Sequence, residues 1–137
     1  MLIHASAVAV YNRGLIIAGD SGSGKSSLAV ALIQRGAILI GDDYLTLSAK
    51  EEKLYAHAHV NIAGLIECSG LGVYQMPYLR QAQISCIVTL GEKQKRLPEI
   101  GHKEFLGVSI PHYCLEKHHP VNTDLAEKAL YGYRLDL

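Results

Sequence analysis

The sequence predicts a single mixed α/β domain spanning residues 1–137, on three observations. The chain has 137 residues, enough for one compact core and too few for two ordinary domains. A short apolar run, a glycine-rich loop, a helical pattern and a second apolar run succeed one another between Leu15 and Ile40. From Leu45 onward the apolar runs are short and separated by turn residues, as in hairpins.

In chain order, residues 2–11 are small and apolar, with Val8 and Val10 in alternation, and predict a strand. Asn12-Arg13-Gly14 is a turn signal, and Leu15 to Ala18 reads as a second strand. Gly19 to Gly24 holds three glycines and no large side chain, which is loop chemistry. Beyond Lys25, Leu28, Ala31, Leu32 and Arg35 fall at helical spacing, and Gly36 supplies the stop. Ala37 to Ile40 is a buried-strand run ending at Gly41-Asp42-Asp43, so the segment reads as one βαβ unit with a parallel strand. Leu45 to Leu47 and Leu54 to Val60 flank a charged turn and predict a hairpin, with an antiparallel pattern thereafter. Gly64 to Gly72 is glycine-rich, Ile84 to Leu90 is a strand, and Thr123 to Tyr133 has helical spacing.

Composition excludes several classes. Thirteen basic and thirteen acidic side chains cancel, leaving no bulk field to hold nucleic acid. The basic stretch at Lys93, Lys95 and Arg96 is expected to be a solvated loop. Met1-Leu2-Ile3-His4 lacks the features of a signal peptide, and no run approaches the roughly 18 apolar residues of a membrane helix. Cys68, Cys86 and Cys114 are odd in number and form no C-x-x-C pair, which suits reduced thiols in a cytoplasmic protein. His57 and His59 could share a strand face and His118 and His119 are adjacent, but no zinc spacing exists, so these are expected to be solvated or structural. Tyr74, Tyr78, Tyr113, Tyr131 and Tyr133 are expected as core or interface aromatics.

Gly19-Asp20-Ser21-Gly22-Ser23-Gly24-Lys25-Ser26 satisfies G-x-x-x-x-G-K-[ST] at every fixed position. Glycines let successive N–H groups turn inward as a nest for phosphate oxygens, and the following helix adds its positive end. Lys25 would reach the β- and γ-phosphates of ATP, and the Ser26 hydroxyl would join the shell of Mg²⁺. The match lies between an apolar strand and a helical pattern, the context such a loop requires.

Asp42 and Asp43 end the next predicted strand, where ligands of open α/β sheets collect. Carboxylates there can bind Mg²⁺ or take a proton from a hydroxyl. On extended backbone the two side chains point to opposite faces and so take different roles. The alternative is a solvated Asp-Asp turn.

His4, the phosphate loop, Gln34-Arg35-Gly36, Gly41-Asp42-Asp43 and the stretch Gly64 to Gly72 together resemble the catalytic domain of HPr kinase/phosphorylase. The resemblance is close over residues 4–47 and 64–78, looser at Arg96-Leu97-Pro98-Glu99 and Leu106-Gly107-Val108, and absent from about residue 115 onward. It implies a single P-loop kinase domain with a mixed β-sheet, of the HPr kinase and PEP carboxykinase-like kind, in a short form without a separate amino-terminal domain. The implied activity is ATP-dependent phosphorylation of a serine on the phosphocarrier HPr, reversed with inorganic phosphate, in regulation of the carbohydrate phosphotransferase system and carbon metabolism. Carried over, Asp42 is the catalytic base and Asp43 supports the metal or the nucleophile. His4 assists beside the phosphates, residues Gly19 to Ser27 hold the nucleotide, and Ser26 and Glu67 share Mg²⁺. A homo-oligomer, a hexamer in that family, is also implied. Two positions depart: Ser69 stands where an arginine is usual, and Ser27 where an acidic residue is usual. Lys93, Lys95 or Arg96 could replace that arginine. Two alternatives remain, a kinase of another protein, peptide or small alcohol, and an ATP-sensing module with weak transfer.

Overall fold

The computed structural model describes residues 1–92 and 100–132. The basic stretch at Lys93, Lys95 and Arg96, the Arg96 to Glu99 resemblance and Tyr133 lie outside the described residues. The elements run β1 (Leu2–His4), β2 (Ser6–Val10), β3 (Arg13–Gly19), α1 (Lys25–Gln34), β4 (Ile38–Gly41), β5 (Tyr44–Lys50) and β6 (Lys53–His57). They continue with β7 (Leu65–Cys68), β8 (Gly72–Gln75), β9 (Ala82–Gly91), β10 (Gly101–Phe105), β11 (Val108–Glu116) and α2 (Asn122–Tyr131).

The main sheet has the order β1-β5-β6-β9-β3-β2-β4. β3 and β4 share a direction but do not pair: β2 lies between them, antiparallel to both. The expected βαβ unit is therefore split, because the Asn12 turn returns β2 directly onto β3 and occupies the place beside it. The strand expected over residues 2–11 is two strands broken at Ala5, β1 joining β5 while β2 joins β3 and β4. Nor is the later part uniformly antiparallel, since β9 runs parallel to β3 and to β11. β10 and β11 were not expected; they form an antiparallel pair on the far side of β9. The glycine-rich stretch folds as the separate β7-β8 hairpin.

Two apolar layers hold the sheet. On one face Leu28, Ala29 and Leu32 of α1 and Ala126 and Leu130 of α2 pack on Val8, Leu15, Ile17, Val88 and Leu90. On the other face Leu45, Leu47 and Leu54 pack over Ala7, Ala9, Ile16 and Ile40, so the sheet covers itself there without a helix. A register shift opposite Gly14 and Leu15 leaves Ile84 and Cys86 facing different layers, although they are two residues apart. Burial pushes the Cys86 thiol up to about 12. Tyr74, Tyr78 and Tyr131 are exposed and not core, whereas Tyr113 packs partly buried on the helix-side layer.

Candidate active site

The phosphate loop leaves the carboxyl end of β3 and enters α1 at Lys25. Gly24 caps the helix at φ 100°, and a Cβ there would lie 3.0 Å from Nδ1 of His118. Gly22, at φ 81°, has none of the described residues within 4 Å of where a Cβ would sit. Ser23 donates its N–H to the Asp20 carbonyl, closing the turn, and its Oγ is buried without a partner among the described residues. Lys25 is only 8% exposed. Its Nζ donates to the carbonyls of Gly19 at 2.8 Å and Asp20 at 3.0 Å. Among the described residues no carboxylate pairs with it. A buried ammonium held only by carbonyl dipoles suits an anionic ligand.

Asp42 and Asp43 do not alternate as on a strand. Asp43 has φ 72°, and the Tyr44 N–H closes over it onto the Asp42 carbonyl at 2.9 Å, a γ-turn. Such backbone costs about 1–3 kcal/mol and persists only where surroundings enforce it. Here the Ala5 N–H, at the break between β1 and β2, donates to the Asp43 carbonyl at 3.0 Å.

The turn sends the two carboxylates to different places. Asp42 is 6% exposed and accepts from Ser6 Oγ at 2.5 Å and from the Glu67 N–H at 3.2 Å. Ser26 Oγ straddles its two oxygens at 2.9 and 3.0 Å. Asp42 thereby ties β2, α1 and β7 together and draws Glu67 toward Ser26. Asp43 stays exposed, its Oδ1 2.7 Å from Nε2 of His4, whose ring lies 5.0 Å from that of Tyr44.

One cavity of about 230 Å³ joins these parts. Ser21, Gly22, Gly24, Lys25, Ser26 and Ser27 form its phosphate-loop wall, with His4, Asp43, Glu67, Ser69 and His118 around them. Gly19 and Asp20 act through their carbonyls on Lys25, and Ser23 lies buried behind the loop. Asp42 stands behind Ser26 and does not line the cavity. Two participants were not singled out by sequence. Ser6 is a buried polar residue in an apolar strand, and His118 Nε2 lies 2.8 Å from the Gly22 carbonyl. His59 lies beyond β6, so it shares no strand face with His57.

The donor set fits Mg-ATP: an open N–H loop, an uncompensated lysine, a serine hydroxyl and a nearby glutamate. No self-sufficient cluster of three His, Cys, Asp or Glu ligands occurs among the described residues. A Mg²⁺ held here would complete its shell with phosphate oxygens and water, as this ion commonly does.

A family model described as HPr serine kinase C-terminal domain matches residues 1–124. The chain belongs to this family. The match of the HPr serine kinase C-terminal domain runs to residue 124, so the resemblance does not stop at about residue 115 as expected and includes His118. A relative from Streptococcus mutans named HPr kinase/phosphorylase is 32% identical, the alignment covering 96% of this chain and 47% of the relative. One of the same name from Malacoplasma penetrans is 28% identical over 82% of this chain and 42% of its own length. The chain thus spans less than half the length of these curated relatives. A solved structure titled Hpr(Ser) kinase/phosphatase from Coxiella burnetii superposes with a TM-score of 0.82 at 23% identity. It covers 94% of this chain and 93% of that one, so the P-loop kinase-like fold of the HPr serine kinase domain is shared almost throughout.

Proposed function

We propose that this chain transfers the γ-phosphoryl group of Mg-ATP to a seryl hydroxyl of the phosphocarrier HPr, and removes it again with inorganic phosphate. The observation that carries the reading is the single cavity into which the phosphate loop and the Asp43–His4 pair both open. Mg-ATP supplies the transferable group and a divalent charge at the phosphates. Lys25 neutralises charge on the β- and γ-phosphates, and the loop N–H groups hold them. Ser26 and Glu67 hold the metal, with Asp42 fixing the Ser26 hydroxyl from behind.

The base is reassigned from Asp42 to Asp43. A base needs a free carboxylate oxygen within reach of the acceptor hydroxyl. Asp42 is enclosed by three donors, whereas Asp43 faces the cavity. Asp43 takes the seryl proton as the hydroxyl oxygen bonds to the γ-phosphorus and the bond from that phosphorus to the β-phosphate oxygen breaks, releasing ADP. In the reverse direction inorganic phosphate attacks the phosphoserine phosphorus, Asp43 passes a proton from that phosphate to the departing seryl oxygen, and pyrophosphate leaves. His4 orients that carboxylate through its Nε2 contact.

Action in the cytoplasm as a homo-hexamer belongs to the same reading; no helix among the described residues is long and apolar enough to cross a membrane. Incubation with labelled ATP and purified HPr tests the assignment. Serine phosphorylation of HPr is expected, and turnover only on another protein, peptide or alcohol would redirect the substrate.

A second reading, a nucleotide-sensing module with weak transfer, is favoured by one observation. Ser69 lines the cavity in the arginine position, and Lys25 is the sole Lys or Arg among its described lining residues. Tight ATP binding without transfer to any acceptor would select it.

A further inference from the structure

We propose that a second cavity, between α1 and the β11–α2 connection, receives the adenine ring of the nucleotide, with Asn122 reading its 6-amino group. The inference rests on the nucleotide-binding reading above and assigns residues which that reading leaves unused. β3, β9 and β11 run parallel, and the connections after β3 and β11 meet at their carboxyl ends, where ligands of such sheets bind. The second cavity, about 230 Å³, shares Gly24, Ser27 and His118 with the phosphate cavity. A nucleotide whose phosphates lie on the loop therefore has a continuous path into it.

The walls suit a flat heterocycle. Leu28 and Ala31 of α1, Leu90 at the end of β9, and Pro120 supply apolar surface. Asn122 also lines the cavity and is 6% exposed. Its Nδ2 donates to the Glu116 carbonyl at 2.6 Å, which fixes the orientation of the amide. Its Oδ1 is left buried with no hydrogen-bond partner among the described residues. A buried acceptor in want of a donor selects the 6-amino group of adenine over the 6-oxo group of hypoxanthine. His118 stands at the junction, its ring against Gly24 and its Nε2 on the Gly22 carbonyl, where the sugar would pass.

Calorimetry on the whole chain with the Mg²⁺ complexes of ATP, inosine triphosphate and inorganic tripolyphosphate tests this. The wild type should bind ATP about tenfold or more tighter than inosine triphosphate, the scale of one buried hydrogen bond. Ala31→Phe, which fills the cavity, should lower ATP affinity by about tenfold or more and leave tripolyphosphate binding unchanged. Unchanged tripolyphosphate binding also reports that the variant is folded. If it does not fold, the three wild-type affinities decide alone. Equal wild-type affinity for all three ligands, or full ATP affinity in folded Ala31→Phe, overturns the assignment while sparing the phosphate loop. Binding of none of the three removes the nucleotide reading itself, and this inference with it.

Discussion

Adjacent aspartates with one side chain chemistry do different work here because a single backbone angle separates them. Asp42 satisfies the buried Ser6 hydroxyl, the half-buried Ser26 hydroxyl and one N–H. Asp42→Ala should lower stability by roughly 1–3 kcal/mol, the cost of leaving buried donors unpaired, and urea unfolding measures it. Asp43 carries no such duty: it is exposed, and among the described residues its carboxylate meets only His4. Asp43→Asn should unfold at the wild-type urea midpoint, bind ATP within a few-fold, and lose transfer to a serine acceptor in single-turnover assays. Transfer surviving in Asp43→Asn but lost in Asp42→Asn would return the base to Asp42. Lys25 makes the opposite case, a buried charge that no carboxylate among the described residues offsets. Lys25→Met should abolish Mg-ATP binding in calorimetry yet melt no lower than the wild type, because it removes an uncompensated ammonium from the interior.

At the scale of elements, β11 carries the clearest pH response. Burial lowers the pKa of His112, and the Lys103 cation on β10 adds to the effect. Above the ordinary histidine range both folded and unfolded states are neutral there, so this stability is fully present. As pH falls, the unfolded chain takes the proton first, and stability is lost down through the lowered folded value. Melting temperature should therefore drop between about pH 7 and pH 5, and His112→Asn should make the drop shallower. The phosphate loop and α1 were legible because their signals are local: glycines, lysine and helical spacing sit side by side in sequence. β10 and β11 were not, since β10 is mostly polar and exposed, and the alternation of Val108-Ser109-Ile110 in β11 is cut short by Pro111. The γ-turn at Asp43 was equally hidden, being enforced by Ala5 from 38 positions earlier in the chain. His118 gave no signal at all, because it acts through a carbonyl of a distant loop.

For the whole molecule, the two ends of the helical layer meet at Arg35, which reaches Asp124 at 2.7 Å and Glu127 at 2.6 Å. Both contacts hold α2, which opens the proposed base cavity, against α1, which carries the phosphate loop. Arg35→Ala should lower the melting temperature slightly at low salt and not at high salt, as solvent-exposed ion pairs do. The sheet order has a larger consequence, one of timing. Every strand of its path except β9 comes from residues 2–57, as two blocks of three, β1-β5-β6 and β3-β2-β4. β9, made last among them, is inserted between the blocks. A growing chain that has left the ribosome only as far as residue 81 already carries the phosphate loop and both aspartates, but exposes two unsatisfied strand edges. Open strand edges of that kind invite pairing with other chains, so the phosphate loop is complete in the growing chain well before the sheet that carries it can close.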